Sequence, residues 1–261
     1  MKYPTVILIC LVTSLFACKS GEQSTNDKLN IDSDIVIPRE SGGTDQFAKI
    51  EMKEHEKQLT GHYVGNFSPN KINITLYEIR ADSAFGFSTV SGNHRPLTGM
   101  SVAGETSYKL VLAEPGDDEW DGLFECILDV ESKVLSGSWT PYRYEEDPQR
   151  YFVKDFELRK TDFAYDPAVG IWPEASKEVL DIDMLYGYMQ DELRLMRNEI
   201  YARHGYSFKV KDMREYFDAE DWYIPISTDI RDQVTDIEWQ NIAMIKEMEE
   251  YADEYYDGYG R

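Results

Sequence analysis

The chain has 261 residues, enough for one large domain or two small ones, each with a sizeable core. A 42% hydrophobic and 29% charged content marks most of it as globular. A formal charge of -22 argues against nucleic-acid binding and against a basic membrane-docking surface, both of which need a positive face.

Lys2 precedes an apolar run over residues 6–16, broken only by Thr13 and Ser14. That length suits the h-region of a signal peptide and is too short for a membrane-spanning helix. The run ends in Leu15-Phe16-Ala17-Cys18. This tetrapeptide resembles the lipobox of bacterial lipoproteins, with the bulky Phe16 as its one departure. The resemblance implies a signal peptide over residues 1–17, cleaved before a Cys18 that carries acyl chains of the palmitate kind. Lys19, where an Asp would retain the protein elsewhere, implies sorting to the outer membrane of the cell envelope. Several acyl chains anchor stably where one is marginal. Of the three cysteines only Cys126 would then stay free, on an apolar strand face that suits a buried, inert thiol.

Residues 18–58 are rich in Ser, Asp, Glu, Asn, Lys and Gly and read as a flexible tether. Residues 47–58 have the charge for a short helix but a thin apolar face. From residue 59 to 161 the period becomes two. Ile72, Ile74 and Leu76 share one strand face, and Phe85, Phe87 and Thr89 read as the next. Tyr108, Leu110 and Leu112 follow, then Phe124, Cys126, Leu128 and Val130, then Leu135 and Trp139, then Phe156 and Leu158. Turn residues such as Gly92-Asn93 and Pro115-Gly116-Asp117 separate them. About eight strands in successive hairpins suit an up-and-down antiparallel β-barrel, with a β-sandwich as the alternative. The stretches 61–67 and 90–99 are similar to small lipocalin-like barrels of secreted bacterial proteins. That likeness implies an interior either filled by side chains or holding one small ligand.

Beyond Asp162 the period is helical. Leu185, Tyr188 or Met189, Leu193, Met196, Ile200 and Tyr201 draw one apolar stripe that Gly205 ends. Residues 212–217 suggest a short helix, residues 222–225 a packed loop, and Asp236 a cap for a last helix. Residues 251–261, acidic and tyrosine-rich, are expected to fray. The fold expected is α+β and multidomain, a β-barrel and then a small all-α module over residues 178–250.

That module carries Tyr201-Ala202-Arg203-His204-Gly205, preceded by residues 193–200 and followed by Tyr216-Phe217, Trp222-Tyr223, Pro225, Glu238 and Asn241. It resembles the YARHG domain family. The resemblance implies an extracytoplasmic module attached to varied partners, and it carries over no catalytic residues. The pentapeptide itself has structural work open to it. Glu199 and Arg203 can pair across one turn, and the last helical turn favours the cations Arg203 and His204. The functional alternative makes Arg197, Asn198, Arg203 and His204 a polar patch for a carboxylate or a glycan.

No histidine has HExxH spacing, and neither a GxSxG elbow nor a phosphate-binding glycine loop is present. Asp117, Glu119 and Asp121 imitate a calcium loop, but Leu128 stands where the bidentate acid belongs. Trp139, Tyr142 and Tyr144 suit a barrel rim or core better than a sugar platform. No cofactor and no metal ligand set is named. The function expected is therefore non-enzymatic binding or interaction on a lipid anchor. The partners expected are the membrane, through Cys18, and an envelope protein, glycan or small apolar ligand. A lipocalin-like carrier, and a hydrolase or its accessory, are the alternatives.

Overall fold

The structure is a computed structural model that describes residues 52–256. The signal-peptide segment, Cys18, the tether up to residue 51 and residues 257–261 lie outside the described residues.

Eight strands follow one another: β1 (Gly61–Phe67), β2 (Asn70–Ile79), β3 (Ser83–Val90), β4 (Asn93–Ala103), β5 (Ser107–Ala113), β6 (Gly122–Asp129), β7 (Val134–Pro141) and β8 (Lys154–Thr161). Each pairs antiparallel with the next, and β8 returns to β1 with Leu158 opposite Gly65. The sheet is thus a closed up-and-down barrel, which leaves no unpaired edge. Its interior is filled by buried side chains from every strand, among them Tyr63, Phe67, Ile72, Ile74, Leu76, Leu97, Leu110, Phe124, Trp139 and Leu158. Removing one such leucine side chain would cost about 2–5 kcal/mol.

One strand faces the other way from its expected pattern. On β3 the buried inward residues are Ala84, Gly86 and Ser88, and Phe85 and Phe87 lie half-buried on the outer face. Phe87 stacks on His94, with ring centroids 4.6 Å apart, and packs near Tyr77. Small residues are used inside because Ile74 and Leu76 of β2, opposite Ser88 and Gly86, already fill that layer. On β2 the register shifts between Leu76 and Glu78, so that Ile79 is buried.

The tether ends earlier than residue 58. Residues Glu54–Lys57 form α1, which lies across the barrel end where β1 and β5 begin. There Leu59 joins the core, Tyr63 donates its hydroxyl to the Leu59 carbonyl at 2.6 Å, and His55 bonds Tyr108 at 3.0 Å. The other barrel end carries the long loops 114–121 and 142–153.

The helical lobe contains α2 (Glu174–Lys177), α3 (Ile182–Leu185), α4 (Gln190–Arg203), α5 (Lys211–Asp218) and α6 (Asp236–Tyr256). Leu193, Met196 and Ile200 of α4 pack against Ile242, Ile245 and Met248 of α6. The apolar stripe is not one continuous helix, since Leu185 and Tyr188 reach this core from ahead of α4. The lobe begins before residue 178, because Trp172 and Ala175 belong to its core. Its last helix continues across residues 251–256 with Ala252 buried, where fraying was expected. The cap of α6 is Thr235 and not Asp236. Thr235 Oγ1 accepts from Glu238 N at 3.3 Å, and Glu238 Oε2 accepts from Thr235 N at 2.9 Å, a reciprocal capping box.

The two lobes belong to one compact unit and touch along β2 and β3. Lys71 Nζ donates to the carbonyls of Glu220 and Tyr223 at 2.7 and 3.1 Å. Asn73 donates to the Pro225 carbonyl at 2.9 Å, Thr89 to that of Ile226 at 3.1 Å, and Gly92 N to Ser207 Oγ at 3.0 Å. Gly92, at φ +74°, is needed here, since a Cβ would lie 2.5 Å from that of Lys209. Among the described residues no helix is long and apolar enough to cross a membrane.

Candidate functional site

The pentapeptide occupies the end of α4. Gly205 follows at φ +73°, and its N–H returns to the Ala202 carbonyl at 2.9 Å, closing the helix in the left-handed conformation that glycine favours. Arg203 does not reach solvent. Its guanidinium donates to the carbonyls of Val169 and Trp172 and to Ser176 Oγ, each at 2.9 Å, and forms a buried ion pair with Glu199. Glu199 in turn accepts from the N–H groups of Ile171 and Trp172 at 2.8 and 2.9 Å. Segment 169–176 is thereby stapled to α4 by a charge pair whose hydrogen bonds are met.

His204 is also buried. It bonds Glu238 Oε2 at 2.7 Å and stacks on Tyr165, with centroids 4.4 Å apart. Glu238 further accepts from Ser176 at 2.7 Å, Tyr165 at 3.0 Å and Thr235. Burial pushes the Glu238 carboxyl up, but hydrogen bonds from His204, Ser176 and Thr235 together outweigh it and bring it to about 2. Asn241 completes this polar core, donating to the carbonyls of Ala175 and Glu178 and accepting from Leu180 N. Residues 170–250 match the YARHG domain. In the YARHG lobe the naming motif therefore supplies the internal framework that holds segment 165–180 onto α4 and α6. Comparison with curated proteins and with solved structures gave no match.

Arg203 and His204 thus leave the surface patch expected from the sequence, because both side chains point into the lobe. Arg197 and Asn198 stay at its surface. Arg197 pairs bidentately with Glu249 at 2.6 and 3.0 Å, and Asn198 donates to the Arg194 carbonyl at 2.8 Å. They form one wall of a cleft of about 600 Å³, a volume within the range of ligand sites. Arg194 and Tyr201 share that wall, and Lys209, Asp229, Arg231 and the exposed Trp239 are among the residues that line the rest. Arg194 bonds Asp212 at 2.6 Å, Arg231 bonds Asp229, and Lys209 has no carboxylate partner among the described residues.

Arg194 was within reach of sequence reasoning, standing three positions before Arg197 on the same helix face. Lys209, Arg231 and Trp239 arrive on separate loops and on α6, and nothing in their spacing announces it. Cys126 sits in the barrel core, its thiol pushed up to about 12 by burial. The acids that imitate a calcium loop serve the loop itself. Asp121 accepts from the N–H groups of Gly116, Asp117 and Asp118 and from Arg95. Trp139 is buried, and Tyr142 donates its hydroxyl to the Glu114 carbonyl at 2.8 Å, so these aromatics form no shared platform.

Proposed function

We propose that this protein is a lipid-anchored binding protein of the cell envelope, fixed to the outer membrane through Cys18, which recognises a carboxylate-bearing glycan without transforming it. The observation that carries the reading is the cleft of the YARHG lobe. In a chain of net charge -22 it gathers Arg194, Arg197, Lys209 and Arg231 around an exposed indole. The three guanidinium groups are paired with Asp212, Glu249 and Asp229, which leaves the Lys209 ammonium to take a carboxylate, and an aromatic face takes the apolar side of a sugar ring. A binding role without catalysis is supported by how the lobe's buried acids and His204 are used. Each is committed to hydrogen bonds within the lobe. The filled barrel interior favours this reading over carriage of an apolar ligand.

Two experiments test it. Purified protein is titrated with uronate oligosaccharides and with neutral oligosaccharides of equal length. The uronates should bind, with affinity falling as salt is raised, and Lys209→Glu should weaken them at least about tenfold. Equal binding of the neutral sugars would remove the cleft from its role. Radiolabelled palmitate should mark the wild type in cells and not Cys18→Ala, and labelling that survives the substitution would overturn the anchor.

A further inference from the structure

We propose that the open mouth of the barrel is a binding site for a small zwitterion, of the size and chemistry of an α-amino acid. This site is separate from the cleft of the YARHG lobe and does not rest on the glycan reading.

A pocket of about 200 Å³ opens at the end of the barrel opposite α1, floored by Phe67, Phe124 and Trp139. That is roughly the space of seven waters, too small for a lipid or an oligosaccharide. Two opposite charges line it without meeting each other. Lys154 Nζ sits 4.5 Å above the Phe67 ring and 5.9 Å from that of Trp139. Its ammonium has three N–H donors and no hydrogen-bond acceptor or carboxylate partner among the described residues. Burial accordingly pulls its pKa down. Glu114, 5% exposed, lies at the other edge of the same indole and accepts from Trp139 Nε1 at 3.2 Å. It also accepts from Ser88 Oγ at 2.6 Å and Gly122 N at 2.8 Å. A carboxylate offers about four lone-pair sites, so one remains, on Oε1.

A second cation stands beside the mouth, already paired. Arg95 lines the pocket, and its Nη2 is held by Asp117 and by Asp121 at 2.6 Å. Its Nε is buried without a hydrogen-bond partner. Asp121 itself is spent on Arg95 and three backbone N–H groups. Lys154 thus keeps unmet donor capacity and Glu114 one unmet acceptor site, with Trp139 between them, and Asp118, which also lines the mouth, accepts from Trp120 N. A lone anion would meet the Glu114 carboxylate, and a lone cation would meet Lys154. A molecule carrying both charges on neighbouring carbons satisfies each pole, and the aromatic floor takes a small aliphatic side chain.

The test is calorimetric titration of the purified protein with glycine, L-valine, isovalerate and isobutylamine. The last two are valine without its ammonium and without its carboxylate. Valine or glycine should bind, and each half-molecule should bind at least about tenfold more weakly than valine. Lys154→Met keeps the apolar stem over Phe67 and should weaken the zwitterion by the same factor with an unchanged thermal midpoint. Glu114→Gln should also weaken it, and Lys154→Met keeps the test valid if that variant disturbs the Ser88 and Gly122 bonds. Isovalerate binding as tightly as valine would replace the proposal with a plain anion site. Absence of glycine and valine binding at about 10 mM, or full affinity in Lys154→Met, would overturn it.

Discussion

Replacing Arg203 with Met tests whether the YARHG motif is a framework or a recognition element. Methionine keeps much of the stem volume and removes the fork that reaches Val169, Trp172, Ser176 and Glu199. Removing one member of a buried ion pair costs about 3–5 kcal/mol, largely by stranding the other charge. Glu199 keeps two backbone N–H donors, so the lower part of that range applies, about 3–4 kcal/mol. Against a total stability of about 5–15 kcal/mol this is a large fraction. Urea unfolding of the purified protein, followed by tryptophan fluorescence and far-UV circular dichroism, reads it. Lysine at 203 should recover little, because one ammonium cannot span the same acceptors. The double variant Glu199→Gln with Arg203→Met should lose less than the sum of the two single variants, by about 1–2 kcal/mol. A cost below about 1 kcal/mol for Arg203→Met would refute the reasoning and return Arg203 to a binding role.

Three further outcomes follow from the same contacts. The Glu238 carboxyl is held at about 2 against an ordinary 4.5, so the folded state binds fewer protons than the unfolded chain between those values. Its stabilisation is fully present above about pH 4.5 and is lost as pH falls toward 2, on the order of 2 kcal/mol. Urea midpoints across that range should drop in the wild type and flatten in Glu238→Gln. Gly92→Ala places a Cβ against Lys209 at positive φ, and should cost about 1–3 kcal/mol and speed proteolysis between the lobes. A maleimide should leave Cys126 unmodified in the native protein and label it after denaturation, since the thiol is buried and its pKa is pushed to about 12.

Much of this architecture is legible in the sequence. Alternation at Ile72, Ile74 and Leu76, and again from Tyr108 to Leu112, marks inward faces that are buried in the barrel. Barrel closure needs the pairing of β8 with β1, which no local pattern encodes. The error at Phe85 and Phe87 has a definite cause. Period two identifies two faces but not which is inner, and the inner face here is made of Ala84, Gly86 and Ser88. Capping chemistry is readable one residue out, since Thr235 and Glu238 form the box that the sequence reading starts at Asp236. For the motif, Glu199 and Arg203 were visible as a helical pair. Their burial depends on segment 169–176 folding over them, a contact between residues about thirty positions apart. The mouth of the barrel is least legible, because Glu114 follows β5 and Lys154 opens β8, forty positions on.

The hairpin between β3 and β4 stands between the two concavities of the molecule. Ser91 and Asn93 line the barrel mouth, and Gly92 between them bonds Ser207. The next residues after Ser207, Phe208 and Lys209, line the cleft of the YARHG lobe. The hydrogen bond from Gly92 N to Ser207 Oγ therefore joins the walls of both sites. Occupants that draw on that contact unequally would be energetically coupled, and linkage would then require each to change the affinity of the other by the same factor. Such a pair of sites would act as a single instrument with two inputs, one reading a small solute and the other a larger partner.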